Sequence, residues 1–319
     1  MDNLPFPPVA LWAIVLVVGL AVLVKASDIF TAVAETAGIC FGMSPFIVGV
    51  TIVAFGTSLP EMVSSVVAVL QGASAIVAGN VVGSNIANLL LILGIAAIID
   101  GHIRIRHEIA KVDLPFLCAS SFFLAAVLWN TSVHRGEALM LIVGLGLYLH
   151  YALTNRRGFD ERNDETTDRS ALTKWLIIKG VVSAACIYLG AELTVTSVIE
   201  LSQIVSIGTE VIAATAVAFG TSLPEVMVTI AAARKGQSEM AVGNVLGSNI
   251  FNAFAVVGVA AMIGPLAVPP TILDFALPFM VLVTILGVFM MMEKEITRYE
   301  GGLMILFYVY FLAAIVGLV

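Results

Sequence analysis

The chain consists of long apolar stretches separated by short polar breaks. A membrane-spanning helix needs about 20 consecutive, mostly apolar residues, and ten stretches meet this requirement. The pattern therefore predicts an all-α integral membrane protein with ten transmembrane helices. The predicted helices cover residues 9–36, 43–70, 75–99, 113–130, 136–154, 174–201, 207–233, 239–263, 272–292 and 299–318.

The composition agrees with this pattern. Of the 319 residues, 60% are hydrophobic and 12% are charged, whereas a soluble domain carries about 25% charged residues. The formal net charge of −7 offers no attraction to a nucleic acid. These values exclude a soluble domain and a nucleic-acid-binding protein. They leave the lipid bilayer as the expected partner, and no obligate protein partner is inferred.

One polar segment, residues 155–173, divides the chain into two halves, 1–154 and 174–319. Twelve of the fifteen Lys and Arg residues fall in loops that follow odd-numbered helices, and one, Arg135, falls on the opposite side. The positive-inside rule places the basic loops in the cytoplasm. We therefore expect a multi-pass protein of the cell (inner) membrane, with a cytoplasmic central loop and both termini outside.

The two halves share a repeated sequence. The segment VAFGTSLPE occurs at 53–61 and again at 217–225, an offset of 164 residues. The same offset relates GNVVGSNIANLLLILG to GNVLGSNIFNAFAVVG, so the repeated motifs span 53–94 and 217–258. Each half contains five predicted helices, an odd number, so the second half enters the membrane from the opposite face. Such inverted-topology repeats are common in secondary transporters, which bind substrate between the repeats.

Each repeat places one glutamate, Glu61 or Glu225, deep in an apolar span. A carboxylate at mid-membrane costs at least about 2.5–3.5 kcal/mol and usually marks an ion path. A proline precedes each glutamate, and its missing N–H frees a backbone carbonyl one turn earlier. The two glutamates are therefore the leading candidates for a cation site.

Hydroxyl and amide side chains accompany both glutamates at helical spacing. The candidate ligands are Thr57, Ser58, Glu61, Ser84 and Asn88 in the first half and Thr221, Ser222, Glu225, Ser248 and Asn252 in the second. Without Cys or His the set does not suit zinc, copper or iron. Hard oxygen ligands suit Na⁺, Ca²⁺ or Mg²⁺, and two carboxylates balance one Ca²⁺ or two Na⁺, as an exchanger requires.

Two other classes of function fit these residues less well. A cation channel needs no counter-ion and gains little from an inverted repeat. An intramembrane hydrolase needs a His or an activated nucleophile, which the cluster lacks. The sequence therefore predicts a transporter that is not an enzyme and uses no cofactor.

The motif GTSLPE followed by GNxxGSNIxN, present twice, resembles the two alpha repeats of the Ca²⁺/cation antiporter superfamily. The resemblance is to the prokaryotic branch of sodium/calcium exchangers and extends over nearly the whole chain. It implies exchange of Na⁺ for Ca²⁺ by alternating access, with both ions competing for one mid-membrane site and helices one and six sliding as a gating pair. An antiporter that couples Ca²⁺ to H⁺, or that moves another divalent cation, is the alternative.

The resemblance also implies roles for individual residues. Glu61 and Glu225 would be the central Ca²⁺ ligands, joined by the backbone carbonyls of Thr57 and Thr221. Asn88 and Asn252 would line the remaining central position, and Asn252 stands where potassium-dependent exchangers have Asp, which argues against potassium cotransport. The flanking Na⁺ ligands would be Ser58, Ser84, Ser222 and Ser248 with the carbonyls of Ala54 and Ala218.

Several other polar and small residues have structural interpretations. Small residues four apart allow helices to approach closely, and the repeats contain Gly79 and Gly83 and, in the second copy, Gly243 and Gly247. Hydrogen bonds between helices are expected from Asn80, Asn85, Asn244 and Asn249. Asp28 is expected to pair with Lys25, three residues away. It is interpreted as a helix position reached by water, with a place on an access path as the alternative.

Overall fold

A computed structural model describes residues 8–40, 54–104, 107–155, 174–234, 236 and 238–319. The elements of the first half are α1 (Pro8–Cys40), α2 (Ala54–Thr57), α3 (Leu59–Leu70), α4 (Ala75–Ala87), α5 (Leu93–Asp100), β1 (His102–Arg104), α6 (His107–Leu128), β2 (Ser132–Val133) and α7 (Arg135–Asn155). The elements of the second half are α8 (Lys174–Val205), α9 (Thr209–Ile212), α10 (Ala218–Thr221), α11 (Leu223–Arg234), α12 (Ser238–Phe251), α13 (Val257–Ile263), β3 (Leu266–Ala267), α14 (Leu277–Met292), β4 (Glu295–Thr297) and α15 (Arg298–Ile315).

Short π-helical turns connect several of these helices. Asn88–Ile92 joins α4 to α5, and Asn252–Val256 joins α12 to α13. Ala213–Val217 joins α9 to α10, and Ile272–Ala276 precedes α14. Most described residues are therefore helical, as predicted.

Six helical runs in the described residues are long and apolar enough to cross a membrane, and a seventh is added if a bent pair counts as one span. The six runs are Pro8–Ala34, Ala75–Asp100, Lys174–Val205, Ala241–Ile263, Ile272–Met292 and Arg298–Ile315. The predicted second span begins at residues 43–53, which lie outside the described residues, and its described remainder includes the shorter helix α3. The structure thus establishes a helical protein with several apolar spans, and the count of ten stays a prediction.

Two small antiparallel sheets join the loops between helices, and the sequence pattern does not predict them. Strand β1 pairs with β4, with Ile103 opposite Ile296. Strand β2 pairs with β3, with Val133 opposite Leu266. Each strand has only two or three residues, too few for an alternating apolar pattern. The sheets hold the ends of helices that are distant in sequence.

The repeated GTSLPE motif breaks the helix in both halves at the same residue. The break falls at Ser58 between α2 and α3, where φ is −89° and ψ is 8°. At Ser222, between α10 and α11, the angles are −80° and 8°, and the axis bends by 45°. Proline in the following turn lacks the N–H that would continue the helix. Each motif therefore starts a new helix whose first turn contains the glutamate.

Helix α4 crosses the centre of the molecule, and it is buried from Ile76 to Ala87. A Cβ at Gly79 would collide with the carbonyl of Glu210, and one at Gly83 would collide with the backbone of Ala214. These contacts confirm the close approach predicted for the first copy. No described atom lies within 4 Å of a Cβ built at the two equivalent glycines, Gly243 and Gly247. The predicted contact is therefore not found among the described residues of the second copy.

Helices α1 and α8 form an antiparallel pair at one side of the molecule. A Cβ at Gly190 would lie 2.6 Å from the backbone nitrogen of Leu23, and one at Gly19 would lie 3.0 Å from that of Thr194. The pair is therefore in backbone contact. Small residues at helix crossings permit this close approach.

We expect Gly83→Ala to lower the thermal stability of the detergent-solubilised protein, because the added methyl would overlap the Ala214 backbone. Gly146, in α7, is the matched control, since it is exposed and no described atom lies within 4 Å of its Cβ position. Alanine is favoured over glycine in a helix by about 1 kcal/mol, so Gly146→Ala should be neutral or stabilising. Equal melting temperatures for the two variants would contradict the proposed packing.

Candidate cation site

The two glutamates lie at the centre of the fold. Glu61 and Glu225 are both fully buried, with 0% of their surface exposed. Each occupies the first turn of the helix that follows a break, α3 or α11. The N-terminal end of a helix carries a partial positive charge that stabilises a nearby carboxylate. The break therefore places each glutamate where the backbone best tolerates its charge.

Each glutamate accepts a hydrogen bond from the other half of the chain. Ser222 Oγ donates to Glu61 Oε1 at 3.0 Å, and Ser58 Oγ donates to Glu225 Oε1 at 3.5 Å. The two contacts are equivalent under the sequence repeat, because 222 − 58 and 225 − 61 both equal 164. Ser248 Oγ also donates to Glu225 Oε1, at 3.4 Å. Neither half could provide this arrangement alone.

Several buried polar atoms in the cluster have no partner among the described residues. They include Oε2 of Glu61 and of Glu225, Oδ1 of Asn88 and both side-chain polar atoms of Asn252. A buried polar atom without a hydrogen bond costs about 1–3 kcal/mol, and a charged one costs more. Four of these atoms are oxygen acceptors of the kind that hard cations prefer. The cluster thus contains buried oxygen atoms that can coordinate a cation.

Backbone carbonyls also belong to the cluster. Ser84 Oγ donates to the carbonyl of Ala218 at 3.5 Å, and this contact joins the first half to the second. Thr221 is fully buried and donates to the carbonyl of Val217 at 3.0 Å. Thr57 is 6% exposed and interacts with Glu225. Ala54 begins α2, one turn before the break.

The predicted site residues are therefore brought together to different degrees. Ser58, Ser222 and Ser248 donate directly to the glutamates, whereas Ser84 donates to the carbonyl of Ala218. Asn88 and Asn252 are fully buried, but they make no described hydrogen bond to either glutamate. Each begins a π-helical turn, Asn88–Ile92 or Asn252–Val256. Single π-turns widen a helix and occur frequently at functional sites.

The remaining asparagines connect helices, as predicted. Asn88 Nδ2 donates to Asn249 Oδ1 at 3.0 Å, and Asn249 Nδ2 donates to the carbonyl of Asn85 at 3.4 Å. Asn244 Nδ2 donates to Thr229 Oγ1 at 2.9 Å and to the carbonyl of Glu225 at 3.2 Å. Sequence reasoning missed Thr229. Its only sequence signal is that the offset of 164 pairs it with another hydroxyl residue, Ser65.

A helical membrane protein with two buried carboxylates and with buried hydroxyl and carbonyl groups from both sequence repeats has the features of a cation transporter. Comparison with known proteins identifies the family. The family described as "Sodium/calcium exchanger protein" matches residues 11–154 and 175–317, which is most of the chain. The chain belongs to this family.

Individual relatives and solved structures agree with this family. The chain is 34% identical to sodium/calcium exchanger MaX1 of Methanosarcina acetivorans, over 95% of this chain and 97% of that protein. It is 32% identical to inner membrane protein YrbG of Escherichia coli, over 85% and 86%. A structure of the sodium-calcium exchanger NCX_Mj soaked with Na⁺ and Sr²⁺ matches with a TM-score of 0.67 and 30% identity, and the match covers 96% of this chain and 98% of that one.

We expect Asn249→Ala to destabilise the ion-free protein, because it removes the acceptor of the Asn88 amide and the side-chain donor to the Asn85 carbonyl. Hydrogen bonds between membrane helices contribute about 0.6 kcal/mol on average and up to about 1.7 kcal/mol. Asn252→Ala is the matched control, since its buried amide has no described partner to lose. Reversible unfolding in mixed micelles measures both. A larger loss of stability in Asn252→Ala would contradict the hydrogen-bond assignment.

Proposed function

We propose that this protein is a secondary antiporter that exchanges Na⁺ for Ca²⁺ across the cell membrane by alternating access. Relatives named as sodium/calcium exchangers align with nearly the whole chain. The observation that carries the proposal is the reciprocal pair of buried glutamates. Each holds one oxygen in a hydrogen bond from the other half and leaves the second oxygen without a described partner.

The charge of this pair explains how the two ions are coupled. Moving two uncompensated carboxylates through the membrane interior would cost at least about 2.5–3.5 kcal/mol each. One Ca²⁺ or two Na⁺ neutralises them. The conformational change is then favourable only when the site is loaded, and the two kinds of ion compete for the same oxygens. This competition converts a Na⁺ gradient into movement of Ca²⁺.

We assign the ligands by their place in the repeats. Glu61 and Glu225 would bind Ca²⁺ together with the carbonyls of Thr57 and Thr221. Asn88 and Asn252, at the start of their π-turns, would complete the centre. The flanking Na⁺ ligands would be Ser58, Ser84, Ser222 and Ser248 with the carbonyls of Ala54 and Ala218. The burial of these side chains and the contacts across the repeats support this assignment.

We further propose ten spans arranged as two inverted five-helix repeats, residues 1–154 and 174–319. Residues 155–173 would form a cytoplasmic linker, and both termini would lie outside. The matching helix breaks at Ser58 and Ser222 support the repeat. The distribution of Lys and Arg supports the orientation.

Replacing either glutamate should abolish exchange. Glu61→Gln and Glu225→Gln each remove half of the charge that balances Ca²⁺, with little change in side-chain volume. We expect ⁴⁵Ca²⁺ uptake into Na⁺-loaded proteoliposomes to fall to the protein-free level in both variants, and Ca²⁺ binding by calorimetry to be lost. Wild-type uptake should require an outward Na⁺ gradient.

Glu293→Gln is the matched control, because Glu293 is an exposed residue at the end of α14. It should transport like the wild type. Ca²⁺ binding of normal affinity in Glu61→Gln would contradict the site. Uptake that ignores Na⁺ but follows a pH gradient would replace the proposal with proton-coupled exchange.

The orientation can be tested with single cysteines in a background where Cys40, Cys118 and Cys186 are replaced by Ala. A membrane-impermeant thiol reagent should label Ser170→Cys only in inside-out vesicles. It should label Leu318→Cys only in right-side-out vesicles, because the five proposed spans of the second half place residue 318 on the opposite side of the membrane from residue 170. Labelling of both cysteines from the same side would contradict the span count.

A further inference from the structure

A cavity of about 240 Å³ lies between α1 and the helix that carries Glu225. Its inner end reaches Thr57 and Pro224, the neighbours of Ser58 and Glu225. Its wall on α1 includes Asp28 and Thr31. The cavity therefore adjoins the candidate ion site and has one carboxylate in its lining.

The cavity extends toward one particular side of the molecule. Helix α8 runs antiparallel to α1, and the turn at residues 206–208 reverses the chain again before α9. Consequently α1 and α11 run in the same direction, toward the side where α8 begins at Lys174 and α11 ends at Arg234. Met227, two residues beyond Glu225 along α11, is 67% exposed. The cavity thus leads from the site toward the side of Lys174 and Arg234.

The sequence repeat relates this cavity to a position beside Glu61, on the opposite side of the molecule, and described residues cover that position. There, α3 packs against α8, and Gln71 Nε2 donates to Thr196 Oγ1 at 3.5 Å. Val63, the repeat equivalent of Met227, is half-buried, and Leu59 is 7% exposed. The repeat equivalent of Thr196 is Ala32, which lines the open cavity. Two nearly identical sequences therefore have different surroundings among the described residues, and the cavity lies beside Glu225.

Asp28 is the charged group at this entrance. Its side chain is 47% exposed, and its partner Lys25 is 76% exposed with Nζ at 4.0 Å. Exposed pairs at this distance interact weakly, so the carboxylate keeps most of its attraction for other cations. Thr31 lies three residues further along α1, and its buried hydroxyl has no partner among the described residues. Apolar walls with low polarisability focus the field of a single charge.

We propose that Asp28 is an entry residue, which draws Na⁺ and Ca²⁺ from the side of Lys174 and Arg234 into the path to the ion site. The Thr31 hydroxyl, further along α1 toward the same side, is a second oxygen in the lining of this path, and Thr57 lies at its inner end. Asp28 acts on ions before they reach the glutamates and takes no part in the final coordination. The proposal rests on the exchange function proposed above.

Sided transport assays on Asp28→Asn test this role. We expect KM for ions presented on the side of Lys174 and Arg234 to rise, with KM on the other side and the maximal rate unchanged. The interaction energy scales with the product of the charges. A rise of about tenfold for Ca²⁺ should therefore accompany a rise of about threefold for Na⁺. Inside-out and right-side-out vesicles present the two sides separately.

Three further measurements distinguish attraction from a structural role. Raising the ionic strength with choline chloride to about 1 M shortens the Debye length to about 3 Å, so the wild type and Asp28→Asn should converge. Asp28→Glu should restore a low KM. Lys25→Gln removes the counter-charge and should leave KM unchanged or lower it.

The possible outcomes separate the two proposals. Equal rises on both sides, equal factors for Na⁺ and Ca²⁺, or a difference insensitive to ionic strength would overturn the entry role. Normal Na⁺-driven uptake with an unshifted KM in Asp28→Asn would overturn it as well. Absence of Na⁺-driven Ca²⁺ uptake in the wild-type protein would instead overturn the proposed function.

Discussion

The energetic cost of burying two carboxylates in an apolar helical bundle constrains the rest of the structure. An isolated charge at membrane depth is strongly unfavourable, and Glu61 and Glu225 are fully buried. Each motif breaks its helix one turn earlier, which places the glutamate at a new helix N-terminus. Serines from the opposite half then bind one oxygen of each carboxylate. The second oxygen of each carboxylate has no described hydrogen-bond partner. Because the negative charge is only partly stabilised by the protein, binding of a cation is favourable.

The reciprocity of these hydrogen bonds explains why the motif occurs twice. A single copy would place its serine beside its own helix break and leave its glutamate without the hydroxyl from across the interface. In the proposed inverted arrangement, two copies allow Ser58 to reach Glu225 while Ser222 reaches Glu61. The site is therefore a property of the interface between the halves. A movement of one half relative to the other changes the surroundings of the site, which is the geometry that alternating access requires.

The extent to which sequence predicts this structure follows from the range of each interaction. Proline, glycine spacing and apolar length act locally, so the apolar helices, the carbonyl freed by each proline and the close approach at Gly83 were predictable. The repeat also singled out the glutamates and serines that the structure buries together, because chance does not preserve two copies of one polar motif. The partner of each serine was not predictable, since a hydroxyl beside one glutamate in sequence contacts the other in space. The π-turns at Asn88 and Asn252 and the short strands likewise depend on tertiary packing, which leaves no periodic signal.

The asymmetry around the site has a further consequence for the proposed mechanism. Both copies of the motif are nearly identical, so local sequence gives neither side of the membrane a preference for the open state. The difference must arise from the packing of α1 and α8, whose sequences diverge more than the motifs do. In this structure α8 covers α3, while α1 leaves a cavity beside α11. Exchanging these two arrangements would close one entrance and open the other without altering the glutamates. The part that is nearly identical in the two copies would then bind the ions. The helices that differ between the copies would determine which side the site faces.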